Sequence, residues 1–290
     1  MTDWISNLSN VIMDPETRVF TRQGLTRLLT DKGRDFKIPR SVTTAQFIDV
    51  MKHEGLLSEI ELRREGSRTS RGAILRYTWG EASPYQIALS LRGGSYLSHS
   101  TAVFLHALTD QVPKTIYANK EQSSKPRSRT GLSQPAIDRA FKSSPRVSKH
   151  IFSSGSYRYV LLSGKQTEQL GVTVIHTAEG SAIRVAGLER TMIDIVVRPS
   201  YAGGAYELLR AYHSARDRVD FSELLATLEK LGYVYPYHQS IGFLMERAGY
   251  PATYLKKLQS MGIRWNFYLD YKLQDPAFYD NWQLFYPKGF

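Results

Sequence analysis

Between residues 41 and 79 the spacing of apolar side chains changes from a helical period to an alternating one, and this change restricts the fold more than any other stretch. The segment SVTTAQFIDVMKHEGLL, residues 41–57, opens with Ser41, Thr43 and Thr44, hydroxyls that can cap a helix by accepting from a free backbone N–H. Phe47, Val50 and Met51 follow at the i, i+3, i+4 spacing of one buried helical face. Gly55 falls where a left-handed C-cap residue belongs, and Leu56-Leu57 return the chain to a core. The remaining face carries Thr44, Gln46, Asp49, Lys52 and His53, mostly hydrogen-bonding side chains. Such a helix suits a DNA major groove, and it equally suits an ordinary amphipathic surface position. Beyond it SEIELRRE alternates Ile60 and Leu62 with charges, and RGAILRYTWG is β-prone through Ile74, Tyr77 and Trp79. The flexible Gly66–Ser70 turn between them predicts a hairpin.

Upstream, Trp4, Ile5, Leu8, Val11 and Ile12 recur at helical spacing and predict a short helix over residues 3–13. A second helix is expected from an N-cap at Thr21 through Leu25, Leu28 and Leu29 to Gly33. Three helices followed by a two-stranded hairpin is the order of a winged helix-turn-helix, expected over residues 1–92. On that reading Thr43, Thr44, Gln46, Lys52 and His53 face base edges. Arg63, Arg64, Arg68 and Arg71 of the wing touch phosphates or the minor groove. The same arrangement serves some proteins as a protein-interaction module without DNA. Ser83-Pro84 predicts another helix start, with proline at its first turn.

The chain of 290 residues has 42% hydrophobic and 12% aromatic content, a composition for a folded protein with a sizeable core. It has no cysteine, which excludes disulfides and thiolate metal sites, and it has no apolar run approaching a bilayer span. A soluble, cytoplasmic protein is expected. The net charge of +11 is uneven: Lys114–Lys165 holds 11 Lys/Arg against Glu121 and Asp138. Such a segment attracts polyanions through counterion release, or simply stays solvated as a loop. Lys125, Arg127, Arg129, Lys142 and Arg146 are its candidates for sequence-independent attraction to DNA.

SYLSHSTAVFLHALTD, residues 95–110, predicts a helix capped by Ser98, with Ala102, Leu105 and Leu108 inward and His99 and His106 on one face. No carboxylate lies at an offset that would complete a metal set, so histidines satisfying local carbonyls are the plainer reading. This stretch, continued to QVPKTIYA and followed far downstream by GLERTMIDIVVRPSYAGG, resembles the AbiEi antitoxins of type IV abortive-infection toxin–antitoxin pairs. Tyr96, Leu97, Ser98, His99, Ala102 and His106 carry the first half of the likeness. Glu189, Arg190, Thr191, Ile193, Asp194, Arg198 and Pro199 carry the second. The resemblance spans nearly the whole chain and departs at the basic stretch Lys120–Lys149, where apolar periodicity is weak. It implies a two-part repressor. The N-terminal winged helix would bind inverted repeats in its own promoter, with room for a homodimer on double-stranded DNA. Residues 93–290 would form a mixed α/β antitoxin-type domain that counters a nucleotidyltransferase-like toxin without requiring direct contact.

By their own pattern the C-terminal residues read as α+β. Strands are expected at 157–164, 172–178 and 182–187, then helices near 188–197, 203–215, 222–231 with Ser222 as cap, 237–248 and 252–261. IRWNFYLDYKL, residues 263–273, reads as a last strand, and the tail to Phe290 is dense in aromatics that pack a core or form a partner surface. A catalytic alternative is a Mg²⁺ nuclease using Glu189 and Asp194, which lie five residues apart and not quite on one helix face. It lacks an accompanying lysine pattern, so a non-enzymatic, DNA-binding repressor without metal or cofactor is the favoured expectation.

Overall fold

A computed structural model describes residues 4–5, 18–66, 73–123, 131–177 and 180–290 of the chain. The protein is a mixed α/β structure in which one large sheet runs between helices. The N-terminal part begins with β1 (Val19–Phe20), α1 (Arg22–Lys32) and α2 (Thr44–His53), followed by the hairpin of β2 (Leu57–Arg64) and β3 (Ala73–Trp79). Thr21 caps α1 by accepting from Gly24 N–H at 2.9 Å, as its position predicts. The expected helix at 3–13 falls largely outside the described residues, although Trp4 and Ile5 are helical and buried. Phe47, Ile48 and Met51 of α2 join Trp4, Phe20, Leu25, Leu57 and Tyr77 in a compact apolar cluster. Gly55 has φ 70°, the left-handed conformation that ends α2 and lets Leu56 N–H donate to the Met51 carbonyl at 2.9 Å.

The next elements are α3 (Pro84–Ser90), β4 (Tyr96–Leu97), α4 (Ser100–Leu105), β5 (Thr115–Glu121), α5 (Gln134–Lys142), β6 (Ile151–Ser154), β7 (Tyr157–Gly164), β8 (Val172–His176) and β9 (Ala182–Ala186). Among the described residues the sheet order is β1-β3-β2-β6-β7-β5-β4-β9-β8. The hairpin is continuous with the rest: Arg63 and Arg64 of β2 pair with Ser153 and Phe152 of β6. Glu65 then accepts a forked pair from Arg158 at 2.8 and 3.0 Å. β5 and β7 are parallel from Thr115↔Arg158 to Glu121↔Gly164, and a second apolar cluster lies on this part of the sheet.

Two expectations change here. Ser98 does not cap the helix expected within residues 95–110: α4 begins only after His99, without a side-chain cap, and ends at Leu105, while Tyr96-Leu97 pair as a strand with β5 and β9. Tyr96 and Leu97 are both fully buried in the sheet. The basic stretch is also more ordered than its weak periodicity suggests. Lys120–Lys149 holds the end of β5 and all of α5, which buries Ile137 and Phe141.

The final layer is helical: α6 (Leu188–Val197), α7 (Ala205–Ala215), α8 (Phe221–Leu231), α9 (Tyr237–Arg247) and α10 (Ala252–Gln259). Asp220, not Ser222, caps α8, accepting from Glu223 N–H at 3.0 Å. The expected strand over 263–273 shrinks to β10 (Phe267–Tyr268), which joins β11 (Ala277–Tyr279) and β12 (Leu284–Tyr286) in a small second sheet. Its aromatics pack inward with α5 to α9, so most of the tail belongs to the largest core. None of the described helices is long and apolar enough to cross a membrane.

Candidate functional site

Two regions gather the residues singled out by sequence. The first is the solvent face of α2. Ala45, Gln46, Asp49, Lys52 and His53 are exposed there, opposite the buried Phe47–Met51 side. Four of the candidates, Thr43, Thr44, Gln46 and Lys52, hold local bonds. Gln46 closes a capping box: its Oε1 accepts from Thr43 N–H and Thr43 Oγ1, both at 2.9 Å, while its own N–H donates to Thr43 Oγ1 at 3.3 Å. Thr44 shares a 3.0 Å hydrogen bond with Thr26 of α1. Lys52 pairs with Glu59 of β2 at 3.1 Å, with both side chains substantially in water. A bidentate contact to adenine needs both ends of a carboxamide, so Gln46 would have to release its cap oxygen to make one. His53 is exposed at the C-terminal end of the helix.

The arginines of the β2–β3 hairpin are divided. Arg63 forks onto Glu61 at 3.1 and 3.3 Å, and both Arg63 and Arg64 are exposed at the turn end of the β2–β3 hairpin, where β2 also meets β6. Arg68 and Arg71 lie outside the described residues, as do Lys125, Arg127 and Arg129. Sequence reading passed over a second basic group beside α2. Residues 18–43 hold seven Lys/Arg against Asp31 and Asp35, a local excess hidden by acidic residues elsewhere in the N-terminal third. Arg22, Arg27, Arg34 and Arg40 are exposed on α1 and its following loop. Arg34 and Arg40, with Thr26, Thr30 and Thr43, line a hollow of about 340 Å³ at the N-terminal end of α2.

The second region is a cleft of about 1140 Å³ at the C-terminal ends of the parallel strands β5 and β7. It brings together His99, Arg190, Asp194 and Arg198, residues separated by up to a hundred positions, along with Arg146 from the loop before β6. Arg190 Nε donates to Asp194 Oδ1 at 2.8 Å, an i, i+4 pair in which both side chains are almost fully buried. Its remaining N–H groups reach the Leu170 carbonyl at 2.7 Å, and Thr167 Oγ1 and the Tyr96 hydroxyl at 3.4 Å. Burial alone would favour neutral forms of both partners. The Asp194 carboxylate nevertheless holds the Arg190 guanidinium well above its ordinary value, and burial raises Asp194 against the pull of Arg190. Tyr96 in turn accepts from Asn119 Nδ2 at 2.7 Å, and burial lifts its phenol to about 12.

His99 sits beneath this cluster at φ 53°, ψ −133°, a backbone conformation costing a non-glycine residue on the order of 1–3 kcal/mol. Its Nδ1 shares a 2.9 Å hydrogen bond with Ser98 Oγ, and the Tyr201 ring meets it edge-on at 5.3 Å. Burial, reinforced by the nearby Arg198 and Arg190 charges, lowers the His99 imidazole to about 3. It is therefore neutral in the folded state at physiological pH, while the unfolded chain would protonate it near its ordinary value. Between those values the unfolded state binds the extra proton, so His99 adds to stability above about pH 6.5 and withdraws that contribution as acid is added. Lowering the pH from 7.5 to 5 should cost about 2 kcal/mol through this residue. Urea unfolding across that range checks it: His99→Gln should flatten the slope, and an unchanged slope would refute the assignment.

The other signature residues serve elsewhere. His106 Nε2 donates to the Ala186 carbonyl at 2.7 Å, the structural role expected of it. Glu189 accepts from Asp220 N–H at 3.0 Å, at the start of α8, so it does not meet Asp194 to form the paired-carboxylate site of the nuclease reading. Lys142 is exposed at the end of α5. Among the described residues there is no group of three or more His, Asp or Glu placed to hold a metal ion. Lys149, Lys165, Tyr201 and Tyr233 complete the cleft walls without any sequence signal, because they come from four separate segments.

No family model matches the chain, and no curated protein matches it. The crystal structure of the RV2827C protein from Mycobacterium tuberculosis is similar, with a TM-score of 0.57 and 16% identity over 98% of this chain and 92% of that one. At that identity the likeness is one of fold, and it extends across the whole mixed α/β architecture.

Proposed function

We propose that the protein is a non-enzymatic, sequence-specific DNA-binding repressor whose N-terminal part works as a winged helix-turn-helix. We read it further as the antitoxin of a type IV abortive-infection pair, acting in the cytoplasm against a nucleotidyltransferase-like toxin without obligatory contact. The observation that carries the DNA reading is α2. One side is sealed into an apolar cluster, while Gln46, Asp49, Lys52 and His53 face water on the same unit as the β2–β3 hairpin. Helix, wing and flanking arginines are the parts such a reader needs. In this reading Gln46, Lys52 and His53 address bases, while Arg22, Arg27, Arg34, Arg40, Arg63 and Arg64 address phosphates. Operators with inverted repeats would be bound by two copies. The antitoxin half rests on the sequence resemblance at Tyr96–His106 and Glu189–Pro199.

An electrophoretic shift with the DNA upstream of the gene tests the repressor. Binding to that DNA over random duplex is expected. If about six phosphates are neutralised, affinity should fall roughly a thousandfold between 50 and 200 mM salt. Lys52→Ala with Gln46→Ala should abolish operator preference and repression while leaving toxin protection intact. A melting curve would separate this effect from loss of the Gln46 cap. Simultaneous loss of repression and protection would mean the two roles are not divided along the chain. One observation favours a rival protein-interaction module: Gln46 and Lys52 already hold partners within the protein. That rival predicts no sequence preference in the same assay.

A further inference from the structure

The cleft at the ends of β5 and β7 has a composition that a purely structural cavity does not need. Asp194 is the only carboxylate among its described lining residues, and Arg190 neutralises it. Around that neutral pair stand Arg146, Lys149, Lys165 and Arg198. Lys165 donates to the Leu231 and Gly232 carbonyls at the C-terminal end of α8. Arg198 donates to the Tyr271 hydroxyl at 2.7 Å. None of Arg146, Lys149 and Arg198 has a carboxylate partner among the described residues. Arg146 and Lys149 lie close together on the exposed loop before β6.

Position adds a second argument. The lining residues Asn119, Gln122, Ser163 and Gln166 lie at or just beyond the carboxyl ends of two parallel neighbouring strands. In α/β sheets ligands collect outside such ends, where side chains and free backbone groups converge. The rings of Tyr201 and Tyr233 line the same space, beside the neutral His99 imidazole. A volume of about 1140 Å³ holds a ligand of cofactor size.

We propose that this cleft binds a nucleoside triphosphate, with the polyphosphate on Arg146, Lys149 and Arg198 and the base against the tyrosine side. Three cations without carboxylate partners suit the concentrated charge of a triphosphate better than the spaced single charges of a nucleic-acid strand. The site is separate from the α2 face, so it stands whether or not the chain binds an operator.

Calorimetry on the full-length protein tests the assignment with ATP, GTP, CTP and UTP, inorganic tripolyphosphate, adenosine and an eight-nucleotide oligothymidylate. At least one nucleoside triphosphate should bind, with tripolyphosphate and adenosine each at least about tenfold weaker. Arg146→Ala with Lys149→Ala, two exposed changes, should weaken nucleotide binding by at least about tenfold through lost charge-assisted bonds, with the melting temperature unchanged. Arg198→Gln should weaken it independently. Binding of no triphosphate at millimolar concentration would overturn the proposal, as would nucleotide binding indifferent to these substitutions. Tripolyphosphate binding as tightly as a nucleotide would overturn the nucleoside half. An oligothymidylate that binds more tightly than every nucleotide and displaces it would make the cleft a single-strand site instead.

Discussion

Replacing Asp194 with alanine is expected to destabilise the protein by about 3–5 kcal/mol, because it leaves the Arg190 guanidinium buried without its counter-charge. The pair sits in the middle of α6, a helix whose residues from Arg190 to Val196 are all buried. The penalty comes from the surviving partner more than from the lost attraction. Removing both charges while keeping volume, as Arg190→Met with Asp194→Leu, should therefore recover much of the loss. Urea midpoints of the single and double variants measure this directly. A single variant within about 1 kcal/mol of the parent would mean that water reaches Arg190 from the cleft and solvates it. The result bears on function as well, since Arg190 forms the cleft's inner wall and ties Tyr96 and the 167–170 loop to α6.

The second large effect is expected at Trp282, where truncation to alanine should cost about 3–5 kcal/mol. This side chain is fully buried, and its indole N–H donates to Glu246 of α9. Its six-membered ring lies so close to α9 that a Cβ added at Gly242 would come within 2.1 Å of it. Gly242 is thus a packing residue, chosen for having no side chain in a helix where glycine is otherwise unfavourable. Gly242→Ala should cost at least about 1–3 kcal/mol by overpacking. Combined with Trp282→Phe, a smaller ring, its cost should be less than additive. Additive costs in that cycle would show that the tryptophan does not occupy the space above Gly242. Loss of this joint would loosen the small β10–β12–β11 sheet from α9, since Trp282 lies two residues before the start of β12.

Local patterns were readable wherever one element settles its own conformation. Thr21, Thr43 and Ser83 each cap the helix that their positions predict, and α6, α7, α9 and α10 lie close to the ranges expected from their apolar spacing. The β2–β3 hairpin follows from the alternation of Ile60 and Leu62 with charges in β2 and from the β-prone side chains of β3, where Arg76, Tyr77 and Thr78 are all buried. Elements without a local signal lie where distant strands supply the pairing. Tyr96 and Leu97 sit beside a helix-forming run, yet pairing with β5 and β9 buries them completely. Thr115–Glu121 lies at the start of the basic segment, and its charged end serves loops at the sheet edge, Lys120 donating to the Gly93 carbonyl and Glu121 accepting from the Thr167 and Gln169 amides.

The candidate sites divide in the same way. The amphipathic character of Thr44–His53, the excess of positive charge and the motifs at Tyr96–His106 and Glu189–Pro199 are properties of the amino-acid order alone. Only the folded chain decided that Gln46 and Lys52 hold local partners and that Glu189 and Asp194 serve different neighbours. The cleft likewise exists only after folding, when the β5–β7 parallel pairing carries Asn119 and Ser163 to one edge and α6 brings Arg190 and Arg198 across it. Periodicity reports which side of an element is buried. It carries no record of which other element does the burying, and a site assembled from six segments depends on that second fact.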